Sequence, residues 1–463
     1  INNEKKAKAL QEAIKKENNP VRNKTKTWRY KADMVRDVAF ATSRKFIWDA
    51  MAVQLDNNTP LAMSYYSKEG NPLWEEESTK AVANTLKTFS KHTIEYPYPV
   101  AISVHAASIG MEYPMICFNF GRPNEDGTYS DATKWGMISV IIHEVGHFFI
   151  PMIINSDERQ WTWMDEGLNT FVQSLTQREY YSDGPLRRGT AESIVNYMRM
   201  PKDMLRPIMT NSEQIAGREF GANAYAKPAA ALSVLRETIM GPELFDYAFK
   251  EYSRRWAFKH PDPADFFRTM EDASAIDLDW FWRGWFYSTD NVDVSVENVK
   301  WYKMKNIDEP FENRASVREK EIKGNKKIAS DDPKYSLPFQ PTEFNFSNTN
   351  KNEYREFRNE VNDNAIKLEN ADKNFYEVTF ENKGGLVTPL IIEWTYDDGS
   401  KEIEKIPAEI WRFNEKVVSK VFIKDKVVKN ITLDPNKETA DVNVKDNNYP
   451  RVEVKSDFDR FNN

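Results

Sequence analysis

Cysteine is nearly absent. Cys117 is the one thiol in 463 residues, which excludes an intrachain disulfide and a thiolate cluster for metal. A small buried hydrophobe is the expected role for it. Histidine is also scarce, with five in the chain. No run of 18 apolar residues occurs, so no transmembrane helix is expected. Basic residues are in deficit, 64 Lys and Arg against 71 Asp and Glu, for a net charge of -7. That balance offers no global basic surface, and nucleic acid is not expected as a main partner. There is no fixed-period repeat and no low-complexity segment. The opening residues, "INNEKKAKAL", lack both an initiator Met and the apolar core of a signal peptide, so the chain start assigns no compartment.

Apolar material is ample: 40% of residues are hydrophobic and 13% aromatic, enough for large packed cores, and the length predicts two or three domains. Residues 1 to about 27 are rich in Lys and Glu, with Leu10, Ala13 and Ile14 at helical spacing. The following "KTWRYKADMVRDVAFATSRKFIWDAMAVQL" mixes aromatic, β-branched and charged residues and predicts strands, whose partners the preceding sequence does not supply. From Thr79 to about Phe286 helical periodicity dominates, with short strand candidates in "PVAISVH" and "YPMICFNF". Beyond Tyr287 the chain passes through "VDVSVENVKWYK" into a charged, poorly periodic tract that reads as an extension to about residue 371. From Asn374 onward, alternating segments separated by Gly384-Gly385 and Asp398-Gly399 predict a β-sandwich.

Two of the five histidines stand four apart in "IIHEVGHFFIPMI". On a helix that spacing puts His143 and His147 on one face, within reach of one metal ion, and leaves Glu144 beside them to accept a proton from an activated water. A third ligand is needed. "WTWMDEGLNTF" offers Glu166, after 18 intervening residues and at the start of a second predicted helix, which completes a His₂Glu zinc set with one open position. Met137, Ile138, Ile141, Val145 and Phe148 explain the apolar setting, since they would fix the ligand helix in the core. Hydrolysis of an amide is the natural use of such a site. His92, His105 and His260 have no matching spacing and read as surface or packing residues. Asn169 and Thr170, one turn beyond Glu166, are placed either to orient a ligand or simply to pack.

With "HEVGH" and "DEG" at this spacing, the chain resembles the gluzincin metallopeptidases, and within them the aminopeptidase N family. In that family a Gly-x-Met-Glu-Asn motif precedes the zinc helix, and its glutamate recognises the substrate's free amine. "SIGMEYP" matches it at Met111 and Glu112, with Tyr113 in place of Asn and the glycine displaced to Gly110. A family tyrosine in a Tyr-x-Lys-Gly pattern donates to the oxyanion; "NAYAKPAAALSVL" matches at Tyr225 and Lys227, with Pro228 where Gly is usual. The resemblance covers roughly residues 28 to 290 and comes nearest to bacterial envelope members, which implies a bacterial periplasmic or envelope location. Family members begin with a β-saddle domain, so "WRYKADMVRDVAFA" is expected to be a remnant of its last strands.

The fold expected is α+β: a mainly helical thermolysin-like zinc metallopeptidase domain with a C-terminal β-sandwich. The expected divisions are a β-domain remnant and linker over 1–45, a catalytic domain over 46–290, an extension over 291–371 and the sandwich over 372–463. The expected activity is a zinc aminopeptidase acting on peptides, with His143, His147 and Glu166 as ligands, Glu144 as base, Tyr225 as oxyanion donor and Glu112 as amine receptor. A zinc endopeptidase with the same ligands and a catalytically silent binding scaffold are the alternatives. The sequence leaves the oligomeric state open.

Overall fold

The computed structural model describes residues 27–303 and 373–451. The expected N-terminal helix and most of the extension lie outside the described residues. From Arg36 onward the chain clusters as one compact unit.

Its first layer is a five-stranded sheet in the order β1-β2-β3-β5-β4, built from β1 (Ile47–Ala52), β2 (Leu61–Tyr66), β3 (Val100–His105), β4 (Gly110–Tyr113) and β5 (Ile116–Asn119). Strands β2, β3 and β5 are parallel, and β4 closes one edge antiparallel to β5. The central strands bury Ala62, Ala101 and Cys117, as near-continuous apolar strands covered by helices do. No strand forms between residues 27 and 46, contrary to the expected remnant strands. Trp28, Tyr30, Val38 and Phe40 there are exposed. An isolated strand leaves its backbone donors and acceptors unpaired, and apolar alternation without a partner strand does not make one.

Helices α1 (Thr79–His92) and α2 (Asp131–Gly146) pack against this sheet and one another, α3 (Leu168–Tyr180) packs on both helices, and α4 (Ala191–Met198), α5 (Lys227–Val234), α6 (Pro242–Trp256), α7 (Pro263–Ser274) and α8 (Asp279–Tyr287) follow. Helix α2 opens at Ser130, whose hydroxyl accepts from the Thr133 amide at 3.1 Å, so one of the orphan first-turn donors is satisfied. All five apolar residues expected to anchor it are at most 1% exposed. Around Trp163 an aromatic cluster of Phe266, Phe267, Trp282 and Phe286 ties α7 and α8 to the turn that precedes α3.

The C-terminal part is a sandwich of two antiparallel sheets, β10-β7-β6 and β12-β11-β8-β9. Its strands are β6 (Val294–Lys303), β7 (Asn374–Asn382), β8 (Leu390–Tyr396), β9 (Lys401–Ile406), β10 (Val417–Lys424), β11 (Val428–Leu433) and β12 (Asn448–Tyr449). The layers meet where Trp394 packs on Phe422 and Tyr376, ring centroids 4.9 and 6.2 Å apart. The stretch read as an extension from residue 291 therefore opens with a strand of the sandwich, since β6 pairs with β7 along its length. A bulge between Val296 and Asn298 shifts the parity of the inward side chains. Val294 and Val296 point inward before it, Val299 and Trp301 after it, and the interruption masks the period-two pattern.

Candidate metal centre

His143 lies in the last turn of α2 and His147 immediately caps it. Glu166 sits in a π-helical turn, Trp163–Gly167, that leads into α3; such turns widen the helix and are frequent at functional sites. The three side chains converge. His143 Nε2 is 2.9 Å and His147 Nε2 3.2 Å from Glu166 Oε2, and the two Nε2 atoms are 3.1 Å apart.

The outer partners fix which nitrogens carry protons. Gln173 gives its amide nitrogen to the carbonyl and hydroxyl of Ser139, 3.2 and 2.9 Å away, so its oxygen faces His143 Nδ1 at 2.9 Å and that nitrogen is the donor. His147 Nδ1 faces the Ile150 carbonyl at 2.9 Å and Asp165 Oδ1 at 2.8 Å, both acceptors. Each imidazole therefore donates from Nδ1 and turns Nε2 toward the other ring and the Glu166 carboxylate. Three potential ligand atoms meeting at about 3 Å suit a cation lying between them, once both Nε2 atoms are unprotonated. Tetrahedral zinc with bonds of about 2.0–2.1 Å would space its ligands by roughly 3.3 Å, close to the triangle observed. The residues fit the ion.

Glu144, the neighbour of His143, is 5% exposed. Burial pushes its carboxyl up to about 8, with His147 opposing and Glu112 and Glu166 adding to the rise. Its apposition to β4 depends on Gly110, where a Cβ would stand 2.6 Å from Glu144 Oε1 and 2.8 Å from Val140 Cγ2 and would displace the carboxylate. Two residues on, Glu112 turns inward. Its carboxylate lies with the His147 imidazole and the Asp165 carboxylate in one cluster whose ligand atoms are within 4.8 Å of each other.

Tyr225 arrives from a second π-helical stretch, Gly221–Ala226. Its hydroxyl donates to Glu166 Oε1 at 2.6 Å, and its ring stacks on His143 with centroids 5.8 Å apart. Two features place it. A Cβ at Gly167 would meet Pro228 Cγ at 2.5 Å, so the glycine after Glu166 allows α5 to close on the ligand turn. Buried Lys227 donates to the Ser288 carbonyl at 3.1 Å and anchors the segment to the end of α8; burial lowers its amine to about 8, with Asp290 opposing.

All six residues singled out in the sequence thus meet in one place. Asn169 reaches the His143 carbonyl at 2.9 Å, whereas the hydroxyl of Thr170 is buried without a partner and takes no part. Asp165 and Gln173 were missed; the signal for Gln173 is its position two helical turns after Glu166, on the same face. His92 is buried beside Asp246, His105 packs on Trp74, and His260 is exposed, all outside the site.

The candidate His₂Glu centre is thus carried by α2 and the turn into α3, beside a mixed sheet with an antiparallel edge strand. Residues 78–285 match the peptidase family M1 domain. Aminopeptidase M1-A of Oryza sativa is 20% identical over 244 residues, covering 51% of this chain and 27% of that protein. Aminopeptidase N of Plutella xylostella is 22% identical over 245 residues, 47% and 26% of the respective chains. The chain spans under a third of the length of these relatives. The crystal structure of Legionella pneumophila aminopeptidase A in complex with aspartic acid has the same fold over 83% of this chain and 35% of its own, with a TM-score of 0.50 at 12% identity.

Proposed function

We propose that this chain is a zinc-dependent aminopeptidase. The observation that carries the reading is the convergence of two Nε2 atoms and the Glu166 carboxylate beside Glu144, with Glu112 facing the same space. Zinc held there would polarise the scissile carbonyl and bring the pKa of water from ~15.7 to about 7.

The protein's own groups do the rest. Glu112 receives the substrate ammonium by a charge-assisted hydrogen bond, which sets the scissile bond one residue from the amino end. Glu144 takes the proton of the attacking water and returns it to the leaving amine. Tyr225 turns its hydroxyl from Glu166 to the carbonyl oxygen as negative charge develops there. Strand β4, at the sheet edge, offers unpaired backbone groups along which an extended peptide can add as a further strand. The carboxylate of Glu112 inside the site favours an exopeptidase over an endopeptidase, and the intact set of acid, ligands and tyrosine favours an enzyme over a silent scaffold. A bacterial envelope location accords with the sequence resemblance; no helix among the described residues is long and apolar enough to cross a membrane.

Matched free and N-acetylated peptides test the reading. Acetylation is expected to abolish release, and Glu112→Ala to weaken hydrolysis of the free peptides. Efficient internal cleavage of acetylated peptides would replace this reading with an endopeptidase.

A further inference from the structure

Arg188 lies in the connection between α3 and α4 and is exposed, yet its guanidinium is held over the phenol ring of Tyr225, 4.7 Å from the centroid. Its neighbours in the fold are paired: Arg178 with Glu237, Arg236 with Asp246. None of the ion pairs among the described residues engages Arg188. A guanidinium lying on an aromatic face has its plane fixed and its edge donors free, the arrangement that takes a carboxylate in two parallel hydrogen bonds.

The rest of the site shows where a substrate carboxylate can go. Glu112, Glu144 and Asp165 lie on the His147 side of the centre and repel a further anion. Arg188 stands on the Tyr225 side and touches none of them. The centre therefore has an acidic flank for an ammonium and a cationic flank for an anion, with the ligand set between.

We propose that Arg188 is a substrate-binding residue that receives a carboxylate carried by the peptide, so that the preferred substrates bear one close to the scissile bond. The carboxylate is either the C-terminus of a short peptide or an acidic side chain next to the cleaved bond. The proposal rests on the aminopeptidase reading and adds a substrate class to it.

The test uses the zinc-loaded full chain and Arg188→Ala and Arg188→Lys variants of verified zinc content. Dipeptides and tripeptides are assayed as free acids and as C-terminal amides, and with Asp or Asn at the first and second positions. Wild type is expected to favour carboxylate-bearing members by ~10- to 100-fold in kcat/KM, the range of one charge-assisted hydrogen-bonded pair. In Arg188→Ala that ratio should fall to about one, with partial recovery in Arg188→Lys. A preference tracking amidation assigns the C-terminus, and one tracking Asp against Asn assigns the side chain. A wild type without preference overturns the proposal, as does a preference that survives in Arg188→Ala, or an equal loss on both members of each pair, which would make Arg188 a packing residue for Tyr225. If no peptide is hydrolysed, the aminopeptidase reading fails separately. Calorimetric binding of the same pairs to the Glu144→Gln protein, with and without Arg188→Ala, then decides: selectivity for the free acid that Arg188 supplies supports the proposal, and none overturns it.

Discussion

Removing either imidazole would leave two protein donors where zinc needs three, so His143→Ala and His147→Ala should each lose the metal on dialysis, read as zinc per chain by elemental analysis. Glu144→Gln keeps every donor; it should retain zinc while turnover falls at least ~10²-fold, the usual loss with a general base. Gln173 holds His143 by one hydrogen bond at 2.9 Å. Gln173→Ala should leave the ligands present but loosely oriented and weaken zinc affinity ~10-fold, measured by competition with a chelator. Tyr225→Phe keeps the ring that stacks on His143 and deletes only the donor. Its kcat should drop about 10²-fold with KM little changed, and a pure KM effect would make the hydroxyl a ground-state contact instead.

Helices α1, α2 and α3 approach closely because position 146, inside the ligand motif, is glycine. A Cβ there would stand 2.1 Å from Asn169 Oδ1 and 2.4 Å from Phe89 Cζ, atoms belonging to α3 and α1. Neither neighbour has room to yield, as both are buried. Gly146→Ala is therefore expected to destabilise by about 1–3 kcal/mol, the cost of overpacking. Gly217→Ala, which meets nothing within 4 Å, is the control and should leave stability near wild type. Denaturant midpoints of the two variants check the difference. Since Asn169 also holds the His143 carbonyl, Gly146→Ala should weaken zinc binding as well.

The helical part and the sandwich are joined through the segment entering β6. Val292 bridges to Asp441, Arg199 Nε donates to the Val442 carbonyl at 2.6 Å, and Asp441 accepts from the amides of Val294 and Asn443. Burial raises the Asp441 carboxyl to about 7; these two amides oppose the rise, and Asp293 and Asp446 add to it. The folded state therefore holds this proton where the unfolded chain, with an ordinary value near ~3.9, has released it. The stability it contributes is full below about pH 4 and is lost as pH rises to about 7. Asp441→Asn should lack that decline, so the variant gains on wild type between about pH 4 and 8. Urea midpoints across that range test this, and parallel profiles would show that Asp441 is not the group responsible.

The convergence of His143, Glu144, His147 and Glu166 and the sandwich were legible in the chain because their signals are local. His143, Glu144 and His147 share one helical turn, Glu166 follows at a fixed interval, and the strands from Asn374 onward alternate without interruption. Other features depend on residues remote in sequence. Strand β2 became a strand by pairing with β1 and β3, and β6 hid behind a bulge. The exposed alternation over residues 28–40 read as strand and is none, because β structure exists only where a partner supplies its hydrogen bonds. Local periodicity thus specifies which side chains can act together on one helix. Long-range packing oriented the two imidazoles through Gln173, Ile150 and Asp165, turned Glu112 inward, and laid Arg188 on Tyr225. Those contacts join residues tens of positions apart, and the free energy that selects them comes from burial and close approach across elements, which no short window of sequence encodes.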